Sequence, residues 1–177
     1  MLPSSTTLLA VVSAFHQQLN ELLLLQQEAL IEQKFDVARQ LFAHFHALMT
    51  EHITVENEQL LPVHAELGET RWATSLYYHE HTKILSLLDR ADQQLATAPT
   101  STLSPRRWLI HVLDYQRTLK NVLEHHEQRE EQALLIELSG HLQHRELPLA
   151  QHCQEQWLRS FAQRTDAIQQ LKQQLDY

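Results

Sequence analysis

Apolar residues recur at steps of three and four through most of the chain, the spacing of one face of an α-helix. From about Thr6 to Gln33 that face reads Leu9, Val12, His16, Leu19, Leu23 and Leu30, with Ser4, Ser5 or Thr6 as the N-cap. Lys34, Phe35 and Asp36 supply a turn, and Asp36 is a candidate cap for the next helix. A second helix, about Val37 to Glu66, carries Leu41, Phe45, Leu48, His52, Glu56 and Leu60 on one face. Pro62 is expected to kink or end it, and Gly68 marks the turn that follows. A third helix, about Thr70 to Ala96, has the stripe Tyr77, His81, Ile84, Leu88, Ala91 and Leu95. Residues 97–105, TAPTSTLSP, read as a loop whose Ser104-Pro105 starts a fourth helix. That helix runs to about Leu138 with Leu109, Val112, Gln116, Leu119, Leu123, His126, Glu130 and Leu134 on its stripe, and Ser139-Gly140 ends it. A fifth, about Leu149 to Leu175, shows Trp157, Phe161, Ile168, Leu171 and Leu175.

Composition points the same way. There are two glycines and five prolines, while the helix formers Leu, Ala, Gln and Glu are plentiful. Short links between long helices imply antiparallel neighbours. The expected fold is therefore all-α: an up-down-up-down antiparallel four-helix bundle over residues 1–140. The extra C-terminal helix, in residues 141–177, either packs on the bundle or forms a homodimer contact.

What does not fit a simple core is the set of histidines and glutamates on these stripes. The stretch EHITVENEQLLP puts His52 and Glu56 one helical turn apart, and EHHEQREEQALL repeats the spacing with His126 and Glu130. In an up-down bundle, residues at one level lie symmetrically about the intervening turn. His16 and His52 are centred on position 34, His52 and His81 on 66 and 67, His81 and His126 on 103 and 104, each at an expected turn. All four histidines should then share one level, with Glu56 and Glu130 one turn away. Buried imidazoles and carboxylates are costly unless paired or metal-bound. Mixed imidazole and carboxylate donors suit Fe, Mn, Zn or Cu better than Ca or Mg, and carboxylates on facing helices can bridge two ions. The candidate metal ligands are His16, His52, Glu56, His81, His126 and Glu130. His125 is the alternative to His126 if the helix phase differs by one residue. Of the thirteen histidines, His44, His46, His64, His79, His141, His144 and His152 are expected at the surface, and His111 in second-layer packing. Glu58, Glu127 and Glu131 read as solvated, and Cys153 as structural or inert.

These residues together resemble the hemerythrin-like HHE cation-binding family over roughly residues 8 to 138. The resemblance rests on Phe15-His16, on His52-x-x-x-Glu56 followed by Leu-Leu-Pro, on Glu80-His81 with Ile84 after it, and on His126-x-x-x-Glu130-Glu131. It implies two iron ions in a carboxylate-bridged centre, with Zn or Mn as other occupants. It also implies a protein that binds or senses dioxygen or a related small ligand. The alternatives are a di-iron oxidase, peroxidase or nitric-oxide and oxidative-stress enzyme, or iron storage; a binding protein is the expectation over an enzyme. Oxygen carriers of this family have a His-x-x-x-His pair on the third helix. Here Tyr77 stands one turn before His81, either as a metal ligand or as a packing residue.

The formal charge of −8 argues against nucleic acid or an anionic membrane as a partner. The single cysteine permits no internal disulfide. The apolar run Leu8–Val12 is short and has no Lys or Arg before it, unlike a signal peptide, and no run of roughly 20 apolar residues for a membrane span is expected. A cytoplasmic location follows as the expectation.

Overall fold

The computed structural model describes residues 7–97, 104–142 and 146–175, and every element among them is helical. In order they are α1 (Leu8–Ile31), α2 (Phe35–Val55), a π-helical turn π1 (Glu56–Leu60), α3 (Leu61–Ala65), α4 (Thr74–Ala96), α5 (Pro105–Arg129), a second π turn π2 (Glu130–Leu134), α6 (Leu135–Leu142), α7 (Glu146–Ala162) and α8 (Thr165–Lys172). They form a helical bundle. α1 packs on α2 and α5, α2 on α4, and α4 on α5, so four helices close a ring; α7 lies on α1 and α2.

Side-chain pairs between helices tie the ring together. Along α1 and the α5–π2 segment, Ser13 donates to Glu131, Asn20 to Glu127 and Gln27 to Gln116. Between the α2–α3 segment and α4, His64 meets Thr74, Asn57 meets His81, and His46 contacts Asp89 and Asp92. Between α4 and α5, Glu80 meets His126 and Arg129, while the Tyr115 hydroxyl lies 3.5 Å from the Leu87 carbonyl. The axis is filled by fully buried Leu19, Leu30, Leu41, Phe42, Phe45, Leu48, Ile84, Leu88 and Leu119. Truncation of Phe45 to alanine is expected to cost about 3–5 kcal/mol, read from a shift in denaturation midpoint.

Several local expectations change. Thr7 caps α1 by accepting from the Ala10 N–H, whereas Ser4, Ser5 and Thr6 lie outside the described residues. Leu9 is 36 % exposed, and Leu8 is buried in its place. The α1–α2 turn comes earlier, with Gln33 at φ 60° and Lys34 as N-cap; Asp36 sits inside the first turn, bonded to Arg39. α4 begins at Thr74, because the Arg71 N–H is held by Glu137 at 2.7 Å in a non-helical segment. Gly140 does not end its helix. Leu138 and Leu142, one turn apart on either side of it, are both buried, and their burial outweighs the cost of about 1 kcal/mol for glycine in a helix.

The fifth helix is two. α7 starts early because the Glu146 carboxylate accepts from the Ser139 hydroxyl and the Leu8 N–H. It stops at Ala162, where Arg164 and Thr165 side chains bond the Ser160 and Phe161 carbonyls. Contrary to expectation, α1 is long and apolar enough to cross a membrane by length and composition, yet half of its most apolar stretch is buried in the bundle.

Candidate metal centre

Both His-x-x-x-Glu motifs begin in an α-helix and end in a π turn. The Leu61 N–H bonds the Glu56 carbonyl five residues back, and the Leu135 N–H bonds that of Glu130 in the same way. Pro62 follows the first π turn, which widens the helix where the ring would otherwise press on the Glu58 carbonyl. No proline follows the second, so proline is not the shared cause. What the two share is a glutamate at the first π position and a fully buried Leu-Leu pair, Leu60-Leu61 or Leu134-Leu135, closing the turn. Single π turns of this kind are frequent at functional sites.

The structure brings His16, His52, Glu56, His81, His126 and Glu130 together, each at most 2 % exposed. They make two overlapping groups, His16–His52–Glu56–Glu130 and Glu56–His81–His126–Glu130, with the donor atoms of each group within 4.8 Å of one another. The two glutamates belong to both groups. His16 and His52 face each other through Nε2 at 3.0 Å, and His81 and His126 at 3.1 Å. Glu56 lies 3.2 Å from His52 Nε2 and 3.4 Å from His81 Nε2. Glu130 lies 3.1 Å from His126 Nε2, 3.4 Å from His16 Nε2 and 3.8 Å from His81 Nε2.

No hydrogen bond reaches either oxygen of Glu56 or of Glu130. Four buried carboxylate oxygens without a donor are a costly arrangement for a protein holding only its own protons. Four imidazole nitrogens aimed at the same oxygens make a donor set that a divalent ion satisfies. Two nitrogens about 2.0–2.1 Å from one ion come to roughly the separation seen in each histidine pair.

Protons alone divide the site unevenly. Burial opposes a charge on His16, but the Glu130 and Glu131 carboxylates outweigh it and raise its pKa to about 10. His81 and His126 are raised in the same way, against burial, chiefly by Glu130. Glu130 is held well below the usual carboxylate range, because His126, His16 and His81 overcome its burial. Glu56 is pushed up, first by burial and then by the Glu130 charge. His52 is pushed well below its ordinary value by burial and by the charge on His16. Glu130 stays ionised against the charged imidazoles, and its charge adds to burial in pushing Glu56 toward its neutral form.

The outward nitrogens follow a rule around the ring. His81 Nδ1 is 2.7 Å from Asn57 Oδ1, the residue after Glu56. His126 Nδ1 is 3.0 Å from Glu80, the residue before His81, and Arg129 pairs with that carboxylate. His16 Nδ1 faces Glu131, the residue after Glu130, at 3.5 Å without a hydrogen bond, and that carboxylate accepts from Ser13. Each partner thus neighbours a site residue on one helix and faces the histidine of the next. His52 breaks the rule. Its Nδ1 is buried without a partner, and its ring contacts Phe15, next to His16, and Trp157 of α7.

Comparison with protein families, curated proteins and solved structures returns no match. The site is therefore read from its own geometry.

Among the sequence candidates, His125 is exposed and stands outside the cluster, which fixes the helix phase on His126. Tyr77 is fully buried, its ring lies edge-on to His64, and its hydroxyl has no hydrogen-bond partner. Burial, Glu137 and Glu130 all raise its pKa, so it stays a neutral phenol. His64 is not at the surface. It is buried, with Nδ1 2.8 Å from Thr74 and Nε2 2.9 Å from Glu137, joining α3, the start of α4 and α6. His64→Ala should destabilise the fold by about 2–3 kcal/mol in chemical denaturation, with two polar partners left behind. Glu127 and Glu131 are likewise engaged, by Asn20 and by Ser13 and His16. His144 lies outside the described residues. Cys153 is buried, and burial pushes its thiol up to about 12, consistent with an inert role.

Asn57, Glu80, Glu131 and Trp157 were not foreseen as parts of the site. The adjacency of the first three to the motif residues was the available signal; Trp157 had none.

Proposed function

We propose that this chain is a hemerythrin-like metal protein that holds two iron ions between four helices and binds or senses dioxygen or a related small ligand there. The observation that carries the proposal is the pair of buried carboxylates, Glu56 and Glu130, with no hydrogen-bond donor and with two imidazole Nε2 atoms on either side of them. In this reading the bundle is up-down-up-down. The cross-helix pairs support it: between α1 and α5, between the α2–α3 segment and α4, and between α4 and α5, later residues of one meet earlier residues of the other.

His16 and His52 would hold one ion, His81 and His126 the other, and Glu56 and Glu130 would serve both. Such a centre supplies electrons to a small oxidant when reduced. The chain's own residues do the rest. Glu80 and Asn57 keep the Nδ1 protons of His126 and His81 outward, so that Nε2 presents its lone pair inward. Phe15 and Trp157 wall off the His52 side from water. Two histidines and two shared carboxylates per ion leave coordination positions open. Tyr77 stays a neutral, buried phenol beside His64.

The test is to load the protein with Fe(II) without oxygen, admit oxygen and then remove it. A change in visible absorption that reverses over repeated cycles is the expected result. Irreversible oxidation with sustained consumption of peroxide would replace binding with catalysis.

A further inference from the structure

The two halves of the centre have different surroundings, and the difference follows the broken rule at His52. In the His81–His126 half, both outward nitrogens have a buried or half-buried acceptor within ordinary hydrogen-bond distance, Asn57 Oδ1 at 2.7 Å and Glu80 at 3.0 Å. In the His16–His52 half, Glu131 is 3.5 Å from one outward nitrogen, and the other has no acceptor. A histidine that binds metal through Nε2 must carry its remaining proton on Nδ1. His126 and His81 have somewhere to donate that proton. On His52 that nitrogen is buried with no acceptor, and the ring is packed against Phe15 and Trp157. Leaving a buried N–H unbonded carries a desolvation penalty. With no metal bound, His52 Nε2 faces His16 Nε2 at 3.0 Å and Glu56 at 3.2 Å. Metal-bound His52 therefore lacks the outer partner that both histidines of the other half have.

Resting on the two-ion reading, we infer that the positions are unequal: the His81–His126 position binds iron first and tightly, and the His16–His52 position binds last and releases first. Outer partners of ligating histidines typically change metal affinity 10–100-fold. The two dissociation constants should therefore differ by at least about tenfold. The His16–His52 position is then the one that empties when iron is scarce, so the protein passes through a one-iron state with defined ligands.

The experiment is an anaerobic Fe(II) titration of the full chain in competition with a chromophoric chelator, read as two stepwise constants. Wild type should show two steps. His52→Ala should abolish the weak step and leave the tight one. Glu80→Gln should weaken the tight step by about tenfold and leave the weak one within error. Circular dichroism checks that each variant folds, and Asn57→Ala repeats the Glu80 test on the other histidine of the same half. Equal affinities in wild type would overturn the ranking, as would loss of the tight step in His52→Ala or equal weakening of both steps by Glu80→Gln and Asn57→Ala. Failure to take up any iron would overturn the two-ion reading itself, an outcome distinct from two equal sites.

Discussion

Glu56→Ala should strip the protein of nearly all bound metal, because its carboxylate is shared by both donor groups. Losing one histidine removes a donor from one half, whereas losing Glu56 removes a donor and a negative charge from both. Outer partners alone are worth 10–100-fold in metal affinity, so a shared inner donor should be worth more than about 100-fold. His126→Ala should also lower the metal content, with Glu80 and Arg129 left facing a cavity. His152→Ala should leave the content unchanged, since that ring is exposed, stands outside both donor groups and bonds Gln156 on its own helix. Elemental analysis of the three purified variants checks the set. Unchanged metal in Glu56→Ala would remove Glu56 from the site.

The second large effect is on stability, and its sign depends on metal. Metal that binds only the folded chain adds about 2.7 kcal/mol at a free concentration 100-fold above its dissociation constant. For a chain of this size that corresponds to roughly 5–10 °C in Tm. Chelation should therefore lower the Tm of the wild type by about that amount. Glu56→Gln should behave oppositely in the metal-free state. The Glu56 carboxylate is pushed up by burial and by Glu130, so ionising it near neutral pH works against the fold. An amide has no charge to bury, and metal-free Glu56→Gln should melt no lower than metal-free wild type. It should also gain little or nothing on metal addition. Thermal unfolding with and without chelator reads all four states. A large loss of stability in metal-free Glu56→Gln would mean that the carboxylate holds the fold by itself, not through an ion.

The helical class was legible from periodicity, and so was the meeting of His16, His52, His81 and His126. Those four positions depend on two quantities that a sequence carries well: helical phase and distance from a turn. Outward contacts are another matter. Asn57, Glu80 and Glu131 sit beside site residues in the chain, but each acts on a histidine of a neighbouring helix. Which neighbour a residue faces depends on how the ring closes, and spacing along one helix does not encode it.

His64 shows a different failure. It lies one turn beyond Leu60, but past Pro62, where a kink or an end of the helix is expected, it is not counted on the stripe and is expected at the surface. The π turn lets the chain pass the proline, so His64 is carried into the interior instead of a surface turn. The π turns themselves left no separate mark. Both follow a His-x-x-x-Glu and end on Leu-Leu, a repeat that reads as a metal motif but also sets the backbone. The break between α7 and α8 was hidden because the apolar stripe Trp157, Phe161, Ile168, Leu171 and Leu175 runs through it with a gap of seven residues, two turns of an unbroken helix.

The most direct test of the metal centre is the metal-to-chain ratio, with the identity of the metal, in protein produced with ample iron and purified without chelator. Two iron ions per chain, falling toward zero in Glu56→Ala, is the predicted result. A chain that carries no metal, or one whose metal survives the loss of Glu56 and of His126 alike, would contradict it.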